Sequence, residues 1–179
     1  MIRSLNTQIV LKPQDLLIAL KAAVSKDTQF TYASLASQLG ISVAQTHAAV
    51  KRAEAARLIH APSREGITVR RSALIEFVIH GVKYCFPPST GAPTRGMPTA
   101  FAGPSLKDLI VQGTQVVPVW PDSNGTVSGY ALTPIFPSVP KACASDSILY
   151  DVLALIDALR IGAAREREIA IELLRQRLA

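Results

Sequence analysis

Residues 35–59 read LASQLGISVAQTHAAVKRAEAARLI, and the order of residue types within them decides the fold. Leu35, Ala36 and Leu39 form the end of one helix, and Gly40 follows at once. A glycine just past a helix terminus enters the left-handed conformation without a Cβ penalty, so it stops the helix and turns the chain. Ile41 and Ser42 restart it, with serine as an N-cap whose hydroxyl accepts an orphan backbone N–H. The spacing after Ser42 predicts a helix over 43–57.

Thr31 is placed to cap the preceding helix, Tyr32 to Leu39, behind a polar connector from Lys26 to Phe30. Earlier still, Pro13 to Val24 sets Leu16, Leu17, Leu20 and Val24 at helical spacing, with proline in the first turn where its missing N–H is harmless. On the other side, Leu58 to Ala61 and Ile67 to Arg70 alternate as strands about the turn residues Pro62 to Gly66, which predicts a β-hairpin. Helix, glycine turn, helix and hairpin is the order of a winged helix-turn-helix.

With those residues in view, 35–59 resembles the recognition unit of the multiple-antibiotic-resistance-repressor (MarR) type and related winged-helix regulators. Their recognition helix commonly closes on a small residue, a glycine, a leucine and an aliphatic. Here the positions read Ala56, Arg57, Leu58 and Ile59, with Arg57 in place of glycine and Ala53 in place of a usual leucine. The resemblance spans residues 12–71 and implies binding to double-stranded DNA.

In this motif the start of the second helix enters the major groove, so its outward side chains read base edges or hold phosphates. Ser42, Gln45, Thr46, His47, Lys51 and Arg52 are the candidates. Gln45 is suited to pair with adenine in bidentate fashion and His47 to donate to a guanine edge. Lys51 and Arg52 would neutralise phosphates. Thr46 also fits the inward face beside Val43, Val50 and Ala53. On the wing, Arg64 at the tip and Arg70 and Arg71 at the exit would reach adjacent DNA. Any one of these alone is as well read as a solvated charge; their joint placement favours the interface.

Charge distribution points the same way. The net charge is +6, and residues 1–71 hold ten Lys or Arg against four Asp or Glu. Residues 72–141 hold four against three and residues 142–179 five against six, so one segment carries the whole excess, as expected if that segment meets a polyanion.

The remainder is expected to be less regular. Ser72 to Val82 carries a broad apolar helical face through Leu74, Ile75, Phe77, Val78 and Val82. Residues 87–104, PPSTGAPTRGMPTAFAGP, read as an ordered strap anchored by Met97, Ala100 and Phe101, in which proline and glycine exclude a regular helix or a central strand. A short helix should begin near Ser105. Residues 115–121 and 125–133 suggest a second hairpin about Asp122 to Gly125. From an Asp146 cap to Gly162, and again from Ala163 to Leu178, apolar residues recur at helical spacing, predicting an αα-hairpin.

The fold class expected is therefore α+β, mainly helical: a winged helix-turn-helix over 1–85, an irregular strap over 86–144, and a helical hairpin over 145–179 for dimerisation or packing. A hydrophobic content of 49% suffices for a core, and no run of about 18 apolar residues suggests a membrane span, so a cytoplasmic protein is expected. Cys85 and Cys143 lack metal or redox spacing and read as reduced, buried thiols. His60 and His80 stand without a carboxylate or cysteine cluster, so no metal and no cofactor are expected. Nor does a paired-carboxylate, nucleophile or phosphate-loop motif suggest an enzyme. The function predicted is a homodimeric transcriptional repressor, because reading a palindromic operator takes two copies. The competing reading is an antitoxin-like adaptor that binds a partner protein through its C-terminal region and regulates its own operon.

Overall fold

The computed structural model describes residues 9–25, 30–60, 66–110 and 116–179. Its elements are predominantly helical, with one small three-stranded sheet, an α+β arrangement. The first three helices are α1 (Pro13–Val24), α2 (Tyr32–Leu39) and α3 (Val43–Ala55). Local caps account for their limits. Thr31 and Ser34 exchange backbone N–H and hydroxyl hydrogen bonds at 3.0 and 3.1 Å at the start of α2, and Gly40 ends it at φ 64° and ψ 36°. Ser42 then caps α3, which packs its inward face on α1 and α2.

Helix α3 stops two residues earlier than its periodicity suggests. Arg57 turns left-handed, φ 59°, while Leu58 N donates to Ala53 O at 3.0 Å and Arg57 N to Glu54 O at 2.8 Å. Those two bonds make a Schellman closure, which satisfies the last carbonyls and redirects the chain. Beyond it the chain forms a single antiparallel bridge, Ile59 to Val69, flanked by His60 N to Thr68 O at 2.8 Å and Arg70 N to Leu58 O at 2.9 Å. Residues 61–65, including Arg64 and most of the expected turn, lie outside the described residues, as does the connector over 26–29.

The next helical run comprises α4 (Arg71–Glu76), a π turn (Phe77–Gly81) and α5 (Val82–Cys85). Leu74, Val78 and Val82 are buried along it. Cys85 is exposed, contrary to the expectation of two buried thiols, whereas Cys143 is buried. In a regular helix Cys85 would stand two turns beyond Val78 on the same side; the wider π turn between them carries it off that side.

Three further expectations fail in the central stretch. Residues 90–98 form β1 (Thr90–Pro98), and β1 pairs with both β2 (Pro118–Pro121) and β3 (Val127–Leu132). Nor do β2 and β3 make a hairpin. Each is antiparallel to β1, so they run parallel to one another, and the three close into a minimal barrel. Gly96 explains how: it is in register with both Pro121 and Val127, so the connection between β2 and β3 crosses β1 at that point. A Cβ there would lie 2.0 Å from Trp120 O, and one on Gly125 would lie 2.3 Å from Gly96 Cα. Glycine here permits the crossing instead of breaking the strand. Proline is tolerated because Pro93 borders a register shift and Pro98 ends the strand. The helix expected from Ser105 is instead a series of turns closed by Lys107 N to Gly103 O and Ile110 N to Leu106 O.

Three helices end the chain: α6 (Val139–Cys143), α7 (Ser147–Ile161) and α8 (Ala164–Leu178). Asp146 Oδ1 caps α7 by accepting from Leu149 N at 2.9 Å, and its other oxygen meets Lys21 Nζ of α1 at 2.6 Å. Helix α7 is buried on almost every side from Val152 to Leu159, enclosed by α1, α5, α8 and a 3-10 turn at Ala100–Ala102. The apolar side of the helical hairpin is thus covered by the rest of the same chain. One cluster joins Leu16, Leu35, Val50, Leu74, Trp120, Leu155 and Leu174. Among the described residues, no helix is long and apolar enough to cross a membrane.

Candidate nucleic-acid interface

Six of the nine candidate residues, Ser42, Gln45, Thr46, His47, Lys51 and Arg52, lie at the cap of α3 or along it. Thr46, Ala49, Val50 and Ala53 are buried against α1 and α2. Val43, Ala44, His47, Ala48, Lys51 and Ala55 are exposed on the opposite side. Positions 43, 47, 51 and 55 keep the four-residue spacing that lines one helix face.

The nine candidate residues divide by what already holds them. Ser42 N donates to Gln45 Oε1 at 3.0 Å and Gln45 N donates to Ser42 Oγ at 3.1 Å, a reciprocal capping box. The amide oxygen of Gln45 is therefore spent on the helix start, and a bidentate pair with adenine would require breaking it. Thr46 is fully buried and its Oγ1 donates to Ser42 O at 3.0 Å, which puts it in the core. His47 is exposed and lies against Tyr32 of α2, ring centroids 3.7 Å apart at 22°. Lys51 is exposed with no ion pair among the described residues.

Arginines at the edges are more committed. Arg52 grips Asp15 of α1 with two hydrogen bonds, and that bond raises its pKa above the ordinary arginine value against the opposing effect of desolvation. Arg71 donates to the carbonyls of Leu178, Ala179 and Ala23 at 2.9, 3.0 and 3.1 Å, tying the end of α8 to the end of α1. Arg70 is exposed and reaches Ile59 O at 3.3 Å through Nε, steadying the Ile59–Val69 bridge. Of the nine, His47, Lys51 and Arg70 are exposed and are held neither by the capping box, nor by a carboxylate, nor by the three carbonyls that fix Arg71.

Sequence reading missed Val43, Ala44 and Tyr32 as members of this surface. Val43 is 46% exposed, an aliphatic side chain in the first turn of α3 that periodicity assigns to the inner face. A readable signal did exist, because serine with glutamine three positions later marks a helix start and so sets the rotation of the helix.

No family model matches the chain, and neither does a curated protein or a solved structure.

A second polar cluster lies deep in the molecule. Asp157 of α7 is fully buried and accepts from Thr99 Oγ1 at 2.8 Å, Trp120 Nε1 at 2.6 Å and Arg160 Nη1 at 2.6 Å. Burial pushes its carboxyl pKa up, and Arg160, Thr99 and Trp120 pull it part of the way back. Arg160 also donates to Phe86 O at 2.8 Å. The cluster pins the small barrel to α7. No group of three or more His, Cys, Asp or Glu suited to a metal occurs among the described residues.

Proposed function

We propose that α1, α2, α3 and the Ile59–Val69 bridge form a winged helix-turn-helix that binds double-stranded DNA, and that the protein is a homodimeric transcriptional regulator. The observation that carries this reading is the α2–Gly40–α3 unit, whose second helix buries one side on α1 and leaves the other uncovered by the described residues. A helix held at both ends and uncovered along one face fits a major groove about 12 Å wide. Lys51 supplies a phosphate contact on that face, and Arg70 supplies another where the wing begins. The positive excess confined to residues 1–71 favours approach of this end to a polyanion. Dimerisation supplies the two-fold match to a palindromic site.

The test is a fluorescence-anisotropy titration against the DNA upstream of the protein's own coding sequence and against a scrambled duplex, repeated at several salt concentrations. Selective binding that weakens with salt is expected. Lys51→Ala should reduce affinity for both duplexes alike and lower the salt slope by about one. Absence of binding to either duplex at low salt overturns the reading.

A further inference from the structure

Which bases such a helix recognises depends on the side chains left free on its first two turns. Long polar side chains are not free there. Ser42 and Gln45 are closed on each other, and Thr46 is buried with its hydroxyl on Ser42 O. Arg52 is taken by Asp15. Among the exposed side chains of these turns, those without a capping hydrogen bond are Val43, Ala44, His47 and Ala48, of which three carry only methyl or isopropyl groups.

Resting on the DNA-binding reading above, we infer that α3 selects its site chiefly through thymine C5-methyl groups packed against Val43 and Ala44, with His47 as its single polar reader. In the major groove only thymine presents a methyl, and small aliphatic side chains make the matching apolar contact. Val43 is the residue whose exposure needs an explanation, since it is 46% exposed in the first turn of α3 while the other valine of that helix, Val50, is buried. Its neighbour Ala44 is short enough to let the helix backbone approach the groove floor. His47 is held against Tyr32, which fixes its ring before DNA arrives and reduces the entropic cost of binding.

Two features oppose an adenine-reading alternative. The Gln45 oxygen is already an acceptor for Ser42 N, so only its NH2 group is available, and a lone donor cannot make the two-bond pattern that identifies adenine. Releasing the oxygen would also leave an orphan N–H at the start of α3.

The experiment uses the full chain and a duplex selected by it in vitro from a pool with a random central segment. The selected duplex is compared with the same duplex in which deoxyuridine replaces thymidine, which removes the methyl and keeps every hydrogen-bonding group. Removing each thymine methyl that α3 reads should weaken binding about four-fold, the worth of one buried carbon. Val43→Ala should bind the thymidine duplex more weakly and respond much less to deoxyuridine. This exposed position tolerates alanine without loss of the fold, which circular dichroism checks. Equal affinity of the wild-type protein for both duplexes overturns the methyl-reading inference and leaves DNA binding standing. Failure to enrich or bind any duplex at low salt overturns the DNA-binding reading and this inference with it.

Discussion

Arg52 Nε and Nη2 donate to the two carboxylate oxygens of Asp15 at 2.8 and 2.6 Å, locking α3 onto α1 across 37 positions of sequence. The Asp15 side chain has no solvent exposure and that of Arg52 only 20%, and Lys12 N donates to the same carboxylate at 2.8 Å. Removing the guanidinium leaves a buried anion with one backbone donor. Arg52→Ala should therefore cost about 3–5 kcal/mol in denaturant unfolding. Arg52→Lys should recover only a minor part, because a point charge cannot satisfy both oxygens. The double variant Arg52→Ala with Asp15→Asn should be more stable than Arg52→Ala alone; equal stability would mean the pair is not coupled.

Arg57 offers a gain in stability. It occupies the left-handed position that closes α3, φ 59°, where a side chain costs about 1–2 kcal/mol relative to glycine. Arg57→Gly relieves that strain and gives some of it back as unfolded-state entropy, so a net stabilisation of about 0.5–1 kcal/mol is expected. In a chain of this size that raises the melting temperature by about 1–4 °C. Arg57→Val should lower it, since β-branched residues fit this region worst.

The contrast between those two arginines shows what was legible in the sequence. The helices were, because Pro13, Thr31, Gly40, Ser42 and Asp146 act on bonds within a turn of themselves. Arg57 was legible as a departure from a glycine position, and its left-handed backbone is what that departure costs. Arg52 was not, because its partner is set by helix packing and no local pattern pairs position 52 with position 15. Arg71 was hidden for the same reason, its acceptors lying at Ala23, Leu178 and Ala179. The small barrel was misread because proline and glycine were judged by their effect on a flat sheet. Gly96 serves a strand crossed by its own neighbours, a demand visible only once β2 and β3 are in place.

That crossing gives a sharp test. A Cβ on Gly96 would stand 2.0 Å from Trp120 O and 2.7 Å from Trp120 C, backbone atoms that cannot swing aside. Gly96→Ala should destabilise by more than about 3 kcal/mol. At Gly91, in the same strand, an added Cβ meets only the Ala131 Cβ at 3.3 Å, so Gly91→Ala should cost less than about 1 kcal/mol. Trp120 is the one tryptophan and is buried, so its fluorescence reports both variants directly. Comparable losses at the two glycines would contradict the crossing.

Tyr150 makes the fold sensitive to alkali. Its hydroxyl donates to Pro98 O at 2.6 Å, joining α7 to the end of β1, and its ring lies 5.7 Å from that of Trp120. Burial, with smaller contributions from Cys143 and Asp151, pushes its pKa up to about 12. The unfolded value is about 10, so the folded state favours the protonated phenol. The resulting stabilisation is fully present below about pH 10 and is lost as pH rises through about 12. Allowing for partial exposure of the side chain, its size is about 1–2 kcal/mol. Tyr150→Phe lacks the titrating group and, below pH 10, also lacks a hydrogen bond worth about 1 kcal/mol. Unfolding free energies measured across alkaline pH should therefore show the wild-type protein ahead of Tyr150→Phe near neutrality, with the gap closing as the phenol ionises. Parallel curves for the two proteins would place the Tyr150 hydroxyl in solvent and remove it from the joint between the barrel and α7.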